Sequence, residues 1–406
     1  MFFKILLVLS IISQSAFCNI KSKILENGLR IIYSEEGSNY PGVVMNVFVR
    51  GGASLSFNKK TAFVSMAQDY LTVRIKRLSR IYGFRYKTNI SWDYTSYVFY
   101  LAPSSMKYSV PKIMSLFFYP DTLSVEELDY LKNGAEQKTL WTMNRKAMLY
   151  PLLSFFASRQ SVYSAGFNGF VEDSMSISNS EFNEFAGCYF STNNVVVSFA
   201  GLKEKDVPFE DAKIYKPCFK DERFDKQVFT PSQTPVSEFS YYKTAEAGFV
   251  ARLGFLSSPC KTKSVMYDIV AELAEGDDKI NLLADSFYAQ NNCYAQTGTI
   301  DFVFYGSSDY FYASSFIKEF LVLSDSVDKN SLNVAKQALI NNYYSKIANK
   351  DDFSYLLAKA ELTCGDYKYL LDYPTIIEGA SLSDVKKVIK DLVGSKYAYV
   401  FMKMIK

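Results

Sequence analysis

Two α+β halves joined by a linker are the fold class that this sequence of 406 residues predicts. The chain is longer than one hydrophobic core usually organises, and an apolar content of 49% can fill two cores. Strand and helix patterns alternate, break off after residue 202 and then resume in a similar order. We therefore predict an N-terminal α+β domain at 19–202, a linker at 203–240 and a C-terminal α+β domain at 241–406.

The first 18 residues predict a signal peptide, because Lys4 precedes an apolar run and the small residues Ala16 and Cys18 precede the expected cleavage point. An acylated Cys18 is the less favoured alternative, since Phe17 is bulky where a lipoprotein signal has a small residue. The apolar run after Lys4 is far shorter than the roughly 20 residues that cross a bilayer, and no later segment is long and uncharged enough to do so. We expect an exported protein, periplasmic or secreted, without a transmembrane segment.

The first half contains four segments with strand patterns and four with helical periodicity. The predicted strands are 29–33, 43–49, 91–101 and 195–201. The predicted helices are 61–82, 110–118, 125–143 and 178–189. Ser178 and Glu181 form the sequence pattern of a capping box, which marks the start of the last helix.

Four prolines among charged residues distinguish the predicted linker, since no long periodic segment survives between them. The second half then restarts with a strand at 248–255 and a helix at 264–275. After a Gly-Asp-Asp turn, we predict a helix at 280–290, strands around 294–305 and 310–313, further helices and a final strand at 397–402. The second half therefore looks like a weak repeat of the first.

The charges and the cysteines exclude several classes of protein. A net charge of +3, spread without a basic block, does not indicate a nucleic-acid surface. Without Cys18, five widely spaced cysteines remain, which is not a disulfide framework and contains no Cys-x-x-Cys zinc pair. One bridge in an oxidising compartment stays open, but we expect these cysteines to be small buried apolar residues. They are Cys188, Cys218, Cys260, Cys293 and Cys364.

Five segments of the first half carry a family resemblance. They are Leu-Glu-Asn-Gly-Leu at 25–29, Val-Phe-Val-Arg-Gly-Gly-Ala-Ser at 47–54, the helix at 61–71, Asp-Tyr-Thr-Ser-Tyr at 93–97 and Tyr-Phe-Ser-Thr-Asn-Asn at 189–194. In this order and spacing they resemble the pitrilysin/insulinase peptidases, whose smaller members include the mitochondrial processing peptidase subunits and bacterial relatives. The resemblance covers nearly all of the mature chain and implies two homologous pitrilysin-like α+β domains.

Active members of that family carry the inverted zinc motif His-x-x-Glu-His on a helix, in which the Glu activates the metal-bound water. The matching residues here are Ser65-Met66-Ala67-Gln68-Asp69, so both histidine ligands and the catalytic base are replaced. Glu136 matches the distal glutamate that supplies the third ligand in active relatives. An oxygen-donor site of Asp69, Glu136 and Ser65 would have too few ligands for a hard cation, so we predict ordinary solvated charges and no metal or cofactor.

The second half of active relatives contributes an Arg and, seven residues later, a Tyr. Here the Arg position falls on Phe287, and Tyr294 matches the Tyr. Histidine-based nucleophile systems are excluded because the chain contains no histidine, and no phosphate-binding glycine motif occurs. We therefore predict that the chain is not an enzyme and has no catalytic residue of its own.

The resemblance implies a pseudopeptidase subunit that forms a heterodimer with an active zinc-bearing relative and helps to enclose a polypeptide substrate, with a homodimer left open. The alternative is a free-standing envelope scaffold or peptide-holding protein. A peptidase with rebuilt metal chemistry ranks last, because Ser65 and Gln68 are neutral. Tyr94 and Tyr97 are candidates to hold a peptide, although core packing is the favoured role for each.

Overall fold

The computed structural model describes residues 20–34, 41–143, 145–159, 161–202, 223–243, 247–261, 263–308 and 310–405. The predicted signal peptide, Cys218 and the first twenty residues of the predicted linker lie outside these ranges. The chain folds into two compact units, each built from three segments. The first unit comprises Met1–Asn133, Glu172–Lys226 and Ser345–Leu371, and the second comprises Gly134–Val171, Gln227–Tyr344 and Asp372–Lys406.

The described residues of the first unit form eight strands. They are β1 (Ile20–Ile24), β2 (Arg30–Ser34), β3 (Val43–Arg50), β4 (Leu55–Phe57), β5 (Arg85–Ile90), β6 (Tyr94–Leu101), β7 (Val195–Ala200) and β8 (Phe224–Lys226). Six of them form a sheet in the order β1-β2-β7-β3-β6-β5, in which β2 and β7 are parallel and the other pairs are antiparallel. The strands β4 and β8 form a separate antiparallel pair. The central strands are almost fully buried, whereas β5 alternates between exposed and half-buried residues.

Seven α-helices precede β7 in the described part of the chain. They are α1 (Phe63–Tyr82), α2 (Pro103–Phe118), α3 (Val125–Met143), α4 (Lys146–Leu149), α5 (Leu153–Phe156), α6 (Val171–Ser176) and α7 (Asn179–Tyr189). The predicted capping box is confirmed, since the Ser178 hydroxyl accepts from the Glu181 N–H while the Glu181 carboxylate accepts from the Ser178 N–H. Helix α1 ends at Gly83, whose φ of +70° is a left-handed conformation that glycine adopts without strain.

The second unit contains a five-stranded sheet. Its strands are β9 (Ser237–Lys243), β10 (Gly248–Ser257), β11 (Ser286–Cys293), β12 (Gly298–Gly306) and β13 (Tyr397–Ile405), in the order β11-β12-β10-β13-β9. Leu152, Phe155 and Phe156 pack on one face of this sheet, where the absence of a side chain at Gly254 gives Leu152 room. Helices of the later chain are α8 (Ser264–Glu275), α9 (Asp278–Asn281), α10 (Ala313–Ser326), α11 (Lys329–Ala348), α12 (Lys350–Thr363), α13 (Lys368–Glu378) and α14 (Leu382–Val393).

The two sheets share one topology. Without β1, the first sheet runs β2-β7-β3-β6-β5, and the second runs β9-β13-β10-β12-β11 with the corresponding strands in the same places. The parallel pair β2 and β7 corresponds to the parallel pair β9 and β13. The predicted α+β fold class is confirmed. The predicted boundaries at 202 and 240 stay a prediction, and the described part of that linker contains β8 and the beginning of β9.

Three local predictions are wrong. The predicted helix at 280–290 is the single turn α9 followed by strand β11, because Phe287 and its neighbours pair with β12 across a ladder that local periodicity does not reveal. No strand forms at 310–313, where α10 begins at Ala313. The strand predicted around 294–305 begins only at Gly298, after a turn.

The cysteine prediction is wrong for one pair. Cys260, which follows β10, and Cys293, the last residue of β11, form a disulfide across 33 positions. The bridge forms because β10 and β11 flank β12, which brings the chain after β10 close to the end of β11. Cys188 and Cys364 are half-buried and belong to no disulfide among the described residues.

Candidate functional site

The start of helix α1 carries the residues that match the zinc motif. The N–H and hydroxyl of Thr61, just before the helix, donate to one carboxylate oxygen of Asp173, which fixes where α1 begins. Ser65 is buried, and its hydroxyl donates to the carbonyl of Ala62 at 3.0 Å. Its donor is therefore used within its own helix, while Gln68 and Asp69 follow one turn later and are half-buried.

Buried tyrosine hydroxyls lie near this part of α1. The Tyr189 hydroxyl donates to the carbonyl of Gly51 at 2.8 Å and lies 3.0 Å from the Thr95 hydroxyl. Burial raises the pKa of Tyr97, and the negative charge of Asp69 acts in the same direction. Tyr97 and Tyr94 are both packed in the core, so core packing is the role that the structure supports for these two rings.

The residues at the motif positions do not fit a zinc site. Zinc binds thiolate, imidazole and carboxylate groups, usually four in tetrahedral arrangement. Within the described ranges, no three Asp, Glu, Cys or His side chains stand close enough together to hold a metal ion. Glu136 lies exposed on α3, in the part of that helix that belongs to the second unit. Ser65 and Gln68 offer only neutral oxygen donors, which zinc rarely selects.

The two positions matched in the second unit lie at opposite ends of β11, with Phe287 near its start and Tyr294 just after the disulfide-bonded Cys293. Phe287 belongs to β11, and its ring stacks on Phe304 with centroids 4.7 Å apart. Tyr294 follows the strand, where its N–H donates to Thr297 and its carbonyl accepts from the N–H of Cys260. The Phe287 position therefore contributes to an apolar cluster and carries no cation for a substrate.

Sequence reasoning missed strand β5, which forms one edge of the first sheet. Ser91 donates to the carbonyl of Tyr94, and hydrogen-bonded pairs alternate along an antiparallel ladder. By that alternation, Lys87 and Asn89 bond to β6, whereas the N–H and C=O of Thr88 point to the open edge. A sequence signal was present, because Arg85, Lys87 and Asn89 alternate with the residues Tyr86, Thr88 and Ile90, which have higher strand propensity than Asn or Lys.

A cavity of about 290 Å³ borders β5 within the first unit. Its walls include Lys87, Asn89 and Ser96 from the sheet and Asp351, Asp352 and Tyr355 from α12. The Tyr355 hydroxyl lies 3.3 Å from that of Tyr94, and its ring contacts Phe48 at 5.0 Å, so this wall is fixed by packing. The open strand edge and the polar cavity therefore lie side by side.

Comparison with known proteins identifies the fold. No protein-family model and no curated protein matches the chain. A protease from Helicobacter pylori superposes with a TM-score of 0.74 at 16% identity, covering 95% of this chain and 99% of its own. A protein from Alicyclobacillus acidocaldarius assigned as an M16-like peptidase superposes at 0.79 with 11% identity, covering 95% of this chain and 98% of its own.

The periplasmic protease PqqL from Escherichia coli gives a TM-score of 0.70 at 10% identity, covering 96% of this chain and 48% of its own. Within the described residues, no helix is both long and apolar enough to span a bilayer. The similarity to the first two structures extends over nearly the whole of each chain. This chain therefore has the two-domain α+β fold of the M16-like, or pitrilysin-type, peptidases.

Proposed function

We propose that this chain is a non-catalytic subunit that pairs with an active zinc-bearing relative of the same fold and helps to form its peptide-binding chamber. The observation that carries the proposal is the chemistry of helix α1. Ser65 and Gln68 replace a metal ligand and the general base, and the Ser65 hydroxyl is already bonded to Ala62. A chain with this fold and this helix can bind a polypeptide but cannot activate water in the manner of its active relatives.

The open edge of β5 supports binding of a polypeptide. The outward N–H and C=O of Thr88 are ready to pair with an extended chain, which would add a strand to the first sheet. Such pairing uses the peptide backbone and therefore tolerates many sequences. Pairing with a zinc-bearing relative rests on the family resemblance, in which two chains of this shape enclose the substrate between them.

Two observations support a location outside the cytoplasm, in the periplasm or secreted. The disulfide between Cys260 and Cys293 is of a kind that forms and persists in oxidising compartments. One structural neighbour, PqqL, is described as periplasmic. The sequence also begins with a predicted signal peptide, which would leave the mature chain to fold after export.

Titration of the purified mature chain into the zinc-bearing relative from the same organism tests the proposal. We expect a complex of about one to one by light scattering, together with faster cleavage of a quenched peptide by the relative. A control titration omits the relative and asks whether the chain alone forms a homodimer or cleaves the peptide. Separate elution of the two proteins with unchanged cleavage would favour the free-standing scaffold instead.

A further inference from the structure

We propose that strand β9 of the second unit is an interaction surface on which a second copy of this chain pairs edge to edge, with the two β9 strands antiparallel. The pairing joins two five-stranded sheets into one sheet of ten strands. This inference rests on the topology and the exposed side chains of the second unit. It does not rest on the proposed function, which concerns β5 and a different polypeptide.

The equivalent edge of the first sheet shows which kind of segment fits beside β9. Strand β2 occupies the place of β9 in the first sheet, and β1 covers its outer side as an antiparallel strand. In the second sheet, β9 pairs with β13 on one side, and no strand of the described residues lies on the other. A strand bonds to each neighbour through alternate residues, so β9 also directs backbone N–H and C=O groups away from β13. An antiparallel strand from another chain takes the place that β1 takes in the first sheet.

Two exposed aromatic residues give β9 the character of an interface. Phe239 is 67% exposed and Tyr241 is 73% exposed. Every other phenylalanine whose side chain the structure describes is buried or half-buried. The ring of Phe239 contacts Tyr399 and Phe401 of the neighbouring strand, with centroids 5.8 Å and 5.9 Å apart, so its position is fixed by packing. Native proteins usually shorten or charge an exposed strand edge, and an edge that carries such rings is suited to pairing.

The strand is complementary to itself when it pairs about a two-fold axis through Ser240. Phe239 of each copy then lies opposite Tyr241 of the other on the same face, because these residues have the same parity along the strand. The four exposed rings cover one another. Lys243 lies opposite Ser237 of the second copy, so no like charges meet across the axis.

The other face of β9 adds charge complementarity. In the same register, Glu238 of one copy lies opposite Tyr242 of the other. The Tyr242 hydroxyl accepts from two nitrogens of Arg145, at 2.9 Å and 2.7 Å, and the guanidinium lies 4.6 Å from the ring centroid of Trp141. Arg145 also donates to the carbonyl of Trp141, so its donors meet neutral oxygens. The Glu238 carboxylate of a second copy supplies a charged partner at this position, which favours a second copy over an arbitrary extended segment.

Analytical ultracentrifugation of the mature chain alone tests the proposal. We expect a monomer–dimer equilibrium with a dissociation constant on the order of 10 μM, because a pair of short strands buries less than the about 1,200 Å² of a standard interface. Tyr241→Glu should raise this constant about tenfold or more, since it places a carboxylate against the Phe239 ring of the second copy. Tyr130→Glu changes a tyrosine of similar exposure on α3, and this matched control should leave the constant unchanged.

Hydrogen exchange locates the interface within the chain. We expect the amides of Ser237–Lys243 to exchange more slowly at about 100 μM than at about 1 μM in the parent, and at equal rates in the Tyr241→Glu variant. An unchanged urea midpoint confirms that this exposed substitution leaves the fold intact. A chain that stays monomeric at about 100 μM, or a dimer that Tyr241→Glu does not weaken, would overturn the proposal. Neither result bears on the proposed function, because no peptide and no relative is present.

Discussion

The edge strands β5 and β11 occupy the same place in two sheets of the same topology. Within the part of the chain that the structure describes, a side chain accepts from an outward N–H of β11 but from none of β5. In β11, the N–H of Ala289 points outward and donates to the Glu275 carboxylate at the end of α8, at 2.7 Å. Cys293, at the end of the strand, is tied to Cys260. In β5, the corresponding outward groups belong to Thr88, which borders a cavity.

The difference between the two edge strands indicates different roles for the two units. An edge strand exposes unpaired backbone groups, and proteins usually cover or charge such edges to prevent unwanted pairing. In the second unit, a carboxylate accepts from an outward N–H of the edge strand, and the disulfide ties the end of that strand to the chain after β10, which favours a structural role. The first unit leaves a polar cavity beside its edge, which favours binding of an extended chain.

Repairing the metal motif on α1 should give the largest effect. The triple variant Ser65→His, Gln68→Glu and Asp69→His restores the motif on α1, with Glu136 as the third ligand that the resemblance implies. We expect the variant to bind zinc with a dissociation constant on the order of 1 μM or tighter, while the parent chain loses zinc to a mild chelator. Atomic emission after dialysis measures both.

The same variant should still fail to cleave peptides. Phe287 remains in the apolar cluster of the second unit, so no guanidinium is present to stabilise the developing charge. The matched control is Ser79→His, which adds an imidazole at the exposed end of α1. Peptide cleavage by the triple variant at rates typical of enzymes would show that the second unit is not defective.

Removing the disulfide should destabilise the second unit strongly and leave the open edge of the first unit unaffected. Opening a loop of 33 positions costs about 3–4 kcal/mol in the chain-entropy account. We expect the double change Cys260→Ser and Cys293→Ser to lower the urea midpoint of the second unit. Peptide affinity in the absence of urea should not change. The control is Cys188→Ser, which changes a half-buried cysteine outside the disulfide. A fall in peptide affinity with the disulfide variant would mean that binding is not confined to β5.

Proline at the two outward positions separates binding from stability directly. Thr88→Pro removes an N–H that is free for a peptide but bonds to no strand, so we expect about a tenfold or greater loss of peptide affinity with little change in unfolding. Ala289→Pro removes the N–H that donates to Glu275, so it should lower stability and leave peptide affinity unchanged. Thr88→Ala, which keeps the N–H, is the control for the side chain. The reverse pattern of effects would contradict the assignment of the open edge.

The sequence predicted the elements whose signal is local. Helix 125–143 and the helix that the Ser178–Glu181 capping box begins were found because periodicity and capping depend on neighbouring residues. Strand β11 was mistaken for a helix because its strand character comes from pairing Phe287 and Ala289 with Phe304 and Phe302. The disulfide could not be predicted either, since Cys260 and Cys293 meet only once that sheet has formed.

The sequence also predicted only part of the candidate site. Ser65, Gln68 and Asp69 were found because a motif on one helix is contiguous in the sequence. The cavity beside β5 was not found, since Ser96 and Asp351 are 255 positions apart and are joined by the fold.

The smallest effect concerns the helices that precede the last strand of each sheet, α7 and α14. Burial alone would raise the pKa of Glu181, but hydrogen bonds from the Ser178 N–H, the Ser178 hydroxyl and Lys60 lower it from 4.5 to about 2. Its carboxylate therefore stabilises the fold above pH 4.5, and the stabilisation is lost as the pH falls towards 2. Glu181→Gln should cost about 1 kcal/mol at pH 7 in urea unfolding, and the difference from the parent should shrink as the pH falls through this window.

In α14, Asp384 bonds Ser381 without an ion pair among the described contacts, so Asp384→Asn should cost about half as much. Equal costs for the two variants, or a difference for Glu181→Gln that persists at pH 2, would show that the Lys60 contact does not distinguish the two caps.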